Sequence, residues 1–218
     1  MSQASEPPMK QTHHLRVWLV VVACLIYCVL LRVLPYVLTA IGAQNDWFSQ
    51  NFPWSFTPVL AVGMLAGAML TNRYAAAGLL LAALIASDVG IWLASGHLDW
   101  AFYPGTPFNY LCLLATILLG YVLRNDRSWI KPIGMGVLAS VAYFVVSNFG
   151  SWLTLEEYTK DLSGLVQCYV SALPFFRNLL AGTCLGTVIL FCPLVLSALA
   201  PAPERSGELP QPRSSSAR

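Results

Sequence analysis

Val17–Ile41 reads VWLVVVACLIYCVLLRVLPYVLTAI, 25 residues that hold a single charge, Arg32. A helix that crosses a bilayer needs about 20 mostly apolar residues, so this stretch is long enough. A cleaved secretory signal has a shorter apolar region, about 7–15 residues, and here the run is both longer and interrupted by Arg32. An uncleaved first membrane helix is expected, after a polar tail over residues 1–16 that carries Lys10, His13, His14 and Arg16.

Outward from this stretch the chain repeats the pattern. Of 218 residues 57% are hydrophobic and 10% charged, where a soluble domain has roughly a quarter charged. Mean hydropathy is +0.64. Further spans are expected over Phe56–Thr71, Tyr74–Ser95, Phe108–Leu123 and Pro132–Leu153. Only Asn72 and Arg73 separate the second and third, which predicts a tight antiparallel hairpin. The last apolar region, Leu165–Leu199, is too long for one span and contains Pro174, which lacks a backbone donor and breaks or kinks a helix. A short helix before Pro174, at the outer surface, and then a full span over Phe176–Leu196 are expected. The predicted fold is thus an all-α membrane protein: a six-transmembrane-helix bundle over residues 17–199, with an extra short helix before the last span. Residues 200–218, rich in Pro, Ser and charge, are expected to be a disordered tail.

Lys and Arg in short flanks set the orientation of a membrane protein. One set of flanks holds nine: Lys10, Arg16, Arg73, Arg124, Arg127, Lys131, Arg205, Arg213 and Arg218. The opposite set holds only Lys160. This predicts that both termini of a multi-pass membrane protein lie in the cytoplasm. The net charge of +2 gives no reason to expect a nucleic-acid partner. Two outer loops are aromatic. Gln44–Ser55 carries Trp47, Phe48, Phe52 and Trp54, and His97–Pro107 carries Trp100, Phe102 and Tyr103. They are either an interfacial aromatic belt or a cover over an external cavity.

Charges at bilayer depth cost several kcal/mol unless they face a cavity or a partner. Three fall within spans, Arg32, Asp88 and Arg177, together with the polar Asn148. Arg32 lies about 22 Å along its helix, Asp88 about 21 Å and Asn148 about 24 Å, at 1.5 Å per residue. Arg177 follows Pro174 near the outer start of the last span. All four therefore reach one outer level. Trp92 follows Asp88 by four residues and Trp152 follows Asn148 by four, a spacing that shares a helix face. A pocket with a polar floor and an aromatic mouth has this pattern. Asp88 could instead pair with Arg32 or Arg177 only to hold the bundle together. As a site, two cations against one anion favour an acidic ligand. Gly63-x-x-x-Gly67 and Gly182-x-x-x-Gly186 allow close helix approach, either inside the bundle or against another subunit.

No H-E-x-x-H, G-x-S-x-G or P-loop pattern occurs, so no catalytic residue is assigned, no cofactor is expected, and energised transport would need a partner. Six cysteines, Cys24, Cys28, Cys112, Cys168, Cys184 and Cys192, lie in apolar stretches without C-x-x-C. They read as ordinary buried residues rather than metal ligands.

Several motifs resemble a known family. They are Arg32-Val33-Leu34-Pro35 with Phe56-Thr57-Pro58-Val59, Ser87-Asp88, Ser147-Asn148-Phe149-Gly150-Ser151-Trp152-Leu153, Gly164-Leu165-Val166-Gln167-Cys168-Tyr169 and Leu173-Pro174-Phe175-Phe176-Arg177-Asn178. Over roughly residues 15–195 the chain resembles an uncharacterised bacterial inner-membrane family similar to the substrate-binding S components of energy-coupling-factor (ECF) vitamin transporters. That resemblance implies a six-helix S-component-like fold. It also implies a small-molecule ligand bound from outside under closing loops, and a coupling subunit with two ATPases as partners. The implied substrate-binding residues are Arg32, Asp88, Asn148, Arg177 and Asn178, with Trp92, Trp152 and the first outer loop closing the site. The family pattern has an acidic residue where this chain has Thr183, and its small-residue docking pattern on the first helix is missing here. Two other readings remain open: an intramembrane enzyme acting on a lipid or isoprenoid through Asp88, and a ligand-free structural or assembly protein.

Overall fold

The computed structural model describes residues 8–43, 52–124, 128 and 130–200, and among them the secondary structure is all helical. The first helix, α1 (Pro8–Ala40), starts well before the apolar run, so residues 8–16 are already helical. Its core stripe is Val17, Val21, Leu25, Cys28 and Pro35, all buried. Steps of three, four and seven mark one face of a helix. Arg32 falls on the same stripe, which turns its guanidinium inward. Leu15, Leu19, Ile26, Tyr27 and Leu30 stand exposed on other faces, as expected for a surface that meets lipid.

The second helix, α2 (Val59–Met69), is the centre of the molecule. Every residue from Val59 to Ala68 is buried, and a helix that is apolar all round belongs in a core. Its 11 residues extend only about 16 Å, half of a hydrocarbon layer about 30 Å thick. The span expected over Phe56–Thr71 is therefore shortened. Pro58 stands immediately before the helix and has no N–H to carry it back, and Pro53 and Ser55, with φ 67°, keep the preceding chain irregular.

Glycines let α2 approach its neighbours. A Cβ on Gly67 would sit 2.1 Å from the carbonyl oxygen of Ile117, and one on Gly120 would sit 2.0 Å from that of Met64. Backbone thus meets backbone between α2 and α5 (Thr106–Leu123). A Cβ on Gly186 would lie 2.5 Å from that of Pro58. Both G-x-x-x-G pairs are used inside the bundle. At the far end of α2, Arg124 donates to the carbonyls of Gly67 (3.1 Å), Ala68 (3.2 Å) and Leu70 (2.5 Å). A cation on the last carbonyls satisfies orphan acceptors and complements the helix dipole.

Asn72 caps α3 (Arg73–Ser95), accepting from the backbone N–H groups of Tyr74 and Ala75, and α3 packs on α1. The short α4 (Leu98–Ala101) leads to α5. Next come α6 (Ile130–Thr154), α7 (Leu162–Leu190) and the short α8 (Pro193–Ala198). The expected break at Pro174 is not found, and no separate short helix precedes the last span: α7 is one helix of 29 residues with Pro174 inside it. Membrane helices tolerate an internal proline because neighbours and local adjustment re-satisfy the freed backbone group, and α7 is packed along α6. Asp161 caps α7 by accepting from the Gly164 N–H at 2.8 Å, and this bond holds its carboxyl below the usual range.

Among the described residues, five helices are long and apolar enough to cross a membrane: α1, α3, the α4–α5 segment, α6 and α7. The chain is a multi-pass membrane protein. His13 Nε2 lies 2.5 Å from the carbonyl oxygen of Leu199, so the start of α1 and the end of α8 meet. The tail expected to be disordered, residues 201–218, lies outside the described residues, as do Trp47 and Phe48.

Candidate functional site

Asp88 faces inward on α3 with Ala76, Leu80, Leu84 and Ser87, and its side chain is 2% exposed. Both of its oxygens are engaged. Arg32 Nη2 donates to Oδ1 at 2.7 Å and the Tyr110 hydroxyl donates to Oδ2 at 2.5 Å. Arg32 Nη1 donates to Ser87 Oγ at 2.8 Å, and Ser87 passes a bond on to the Leu84 carbonyl. The pairing left open by the sequence is settled: Asp88 binds Arg32. Charge-assisted bonds of this kind are among the strong ones, and a buried charge survives only with such partners. Three helices, α1, α3 and α5, are tied at this point.

The network forms the polar floor of a cavity of about 420 Å³. Arg32 lines this space and its side chain is 31% exposed. Asn148 enters from α6; its Nδ2 donates to the Phe144 carbonyl at 2.7 Å, which leaves its carbonyl oxygen for a ligand. Asn109 is arranged alike, donating to the Tyr103 hydroxyl. Thr106 also lines the cavity, and its buried hydroxyl has no partner among the described residues.

The walls are aromatic. Tyr36 meets Trp54 edge-on at 5.9 Å and Trp100 at 6.3 Å, and Phe52 meets Trp54 at 5.0 Å. Phe144 and Phe176 close another side, with ring centres 4.6 Å apart. Residues 52–57 together with Trp100, Ala101 and Tyr103 therefore wall the cavity between the helix ends. Irregular backbone at this depth is tolerated where it lines a cavity or is buried in protein.

Of the residues expected to bind, Arg32, Asp88 and Asn148 come together around the cavity. Four do not line it, which corrects the expectation. Arg177 is exposed and has no polar partner among the described residues. Asn178 acts from behind the wall, donating to the Trp54 carbonyl at 3.0 Å. Trp92 is 41% exposed. Trp152 donates to the Thr159 carbonyl at 2.9 Å and so braces the loop after α6. The spacing explains the two tryptophans. Asp88 and Asn148 lie at the edge of their inward faces, so the lining neighbours come three residues on, Ile91 and Ser151, while the fourth rotates away. Around Arg32 the rule of four holds, and Tyr36 is the residue it would have found. Tyr110 carried no signal, because its partner lies on another helix.

Among the described residues no group of His, Cys, Asp and Glu could hold a metal ion, and the six cysteines are free.

An all-helical, multi-pass membrane protein with a paired charge at the foot of an aromatic cavity is the class that fold and site define. The chain belongs to the family of unknown function DUF6580, whose profile matches residues 12–203. No curated protein and no solved structure matches it.

Proposed function

We propose that this protein binds a small organic molecule inside its bundle, from the outer side of a bacterial inner membrane, and serves its uptake in the manner of an ECF S component. The observation that carries this reading is the cavity of about 420 Å³. Its size suits a small ligand, and Arg32, Asn148 and Asn109 bring unspent hydrogen-bonding capacity to it. Because Asp88 offsets Arg32, the ligand bears at most one acidic group, held by the free edge of the guanidinium. No nucleotide motif is present, so a coupling subunit and ATPases would supply the energy.

Six crossings also belong to this reading. The contact between the start of α1 and the end of α8, at His13 and Leu199, supports an even number of crossings between them. Five long helices require a sixth pass, and the irregular segment 52–58 followed by α2 supplies it. Arg124 at the end of α5 holds the end of α2, which gives both the same destination. The Lys and Arg excess at that side makes it cytoplasmic.

The test is native mass spectrometry of gently extracted protein. A bound small molecule is expected in the wild type and strongly reduced in Asn148→Leu at normal expression. Protein that carries no molecule, with Asn148→Leu indistinguishable from it, would overturn the reading.

A further inference from the structure

A second hollow lies against the first. It is an open groove between α3 and the start of α5, formed by Leu81, Phe102, Pro107, Leu111 and Leu114. These are carbon surfaces, and Leu111 is 65% exposed. Thr106 to Leu114 covers about 12 Å along α5, so the groove runs from the loop end toward mid-helix on a face that meets lipid.

The two hollows share one wall. Tyr103, Thr106 and Tyr110 line both. The two tyrosines are held in place, Tyr103 by Asn109 and Tyr110 by Asp88. Thr106 between them is the smallest side chain in the wall, and it is 8% exposed with a hydroxyl that has no partner among the described residues. A buried hydroxyl without a partner carries a desolvation penalty, which a ligand atom at the boundary would relieve. One side of the wall is thus polar and aromatic, and the other is wholly apolar and open to the bilayer.

We infer that the two hollows hold one amphiphilic molecule. Its flat polar head lies among the aromatic rings above Arg32, a polar atom at the junction of head and chain bonds the Thr106 hydroxyl, and the apolar chain continues into the groove. This rests on the binding reading above and names its ligand class. Such a ligand is extracted from the leaflet through the side of the bundle rather than captured from solution.

The test places wild type, Leu111→Trp and Leu81→Trp in nanodiscs made from native membrane, and analyses the bound molecules by mass spectrometry after solvent extraction. Leu111 is exposed, so a tryptophan there fills the groove without entering the core, and melting curves check the fold. One molecule per protein with an aliphatic chain is expected in the wild type. Its occupancy should fall about tenfold in both groove variants. A chainless, water-soluble molecule retained by both variants would overturn the amphiphile while leaving the cavity reading intact. A chain-bearing molecule retained by both, or only bulk phospholipid in the membrane's own proportions, would also overturn it. An empty wild type would remove this inference and the binding reading together.

Discussion

Asp88 is held by two donors from two different helices, and the pairing matters more than the charge alone. Removing it leaves Arg32 facing Ser87 with no counter-charge. Asp88→Ala is expected to destabilise the protein by about 3 kcal/mol, the low end for breaking a buried pair because Arg32 keeps contact with the cavity. Replacing both partners with apolar residues, Arg32→Met and Asp88→Leu together, should cost less than the single change, since no lone charge is stranded. Denaturant unfolding of the purified variants measures both, and a double variant less stable than Asp88→Ala would refute the account. At this scale Arg32, Asp88 and Asn148 were legible in the sequence, because an ionisable or amide group in an apolar run has few places to go. Tyr110 was not: an apolar helix accepts a tyrosine anywhere, and only the neighbouring helix decides whether its hydroxyl has work. Arg177 followed the same logic as Arg32 and ended exposed, because a helix's rotation about its axis is set by packing.

For the elements, close packing of α2 decides stability. Gly120→Ala would drive a Cβ to 2.0 Å from the Met64 carbonyl oxygen, and backbone on both sides leaves little room to yield. A loss of about 1–3 kcal/mol is expected. Gly134→Ala in α6, where nothing lies within 4 Å, should be neutral or gain up to about 1 kcal/mol from helix propensity. Thermal melting of the pair separates packing from propensity, and equal effects would disprove the tight α2–α5 contact. Three of the long helices, α3, α5 and α6, were legible in the sequence nearly to their ends, since apolar length is a direct demand of the bilayer, whereas α1 begins at Pro8, well before its apolar run. Two helix limits turn on proline: Pro58 stands just before the shortened α2, while Pro174 is absorbed within α7, where α6 packs alongside.

In the whole molecule, the proposed six crossings make a directional prediction. With the native cysteines replaced, Thr71→Cys should react with a membrane-impermeant maleimide only from the cytoplasmic side, and Glu157→Cys only from the opposite side. Reversed labelling would overturn the orientation, and labelling of both from one side would overturn the count. Lys160, the lone cation expected outside, donates from Nζ to the Trp152 carbonyl at 2.5 Å and to that of Leu155, capping α6.

The grip of Arg124 on the end of α2 has a consequence for biosynthesis. During synthesis α2 reaches the membrane first, and Arg124 follows 54 residues after Leu70. Until then the short helix is too brief to rest in lipid, and its last carbonyls lack this partner. Its insertion is therefore provisional, completed only when α5 is delivered and sealed when α7 closes over Pro58. A nascent chain arrested between these events would leave α2 without the partners that complete the core.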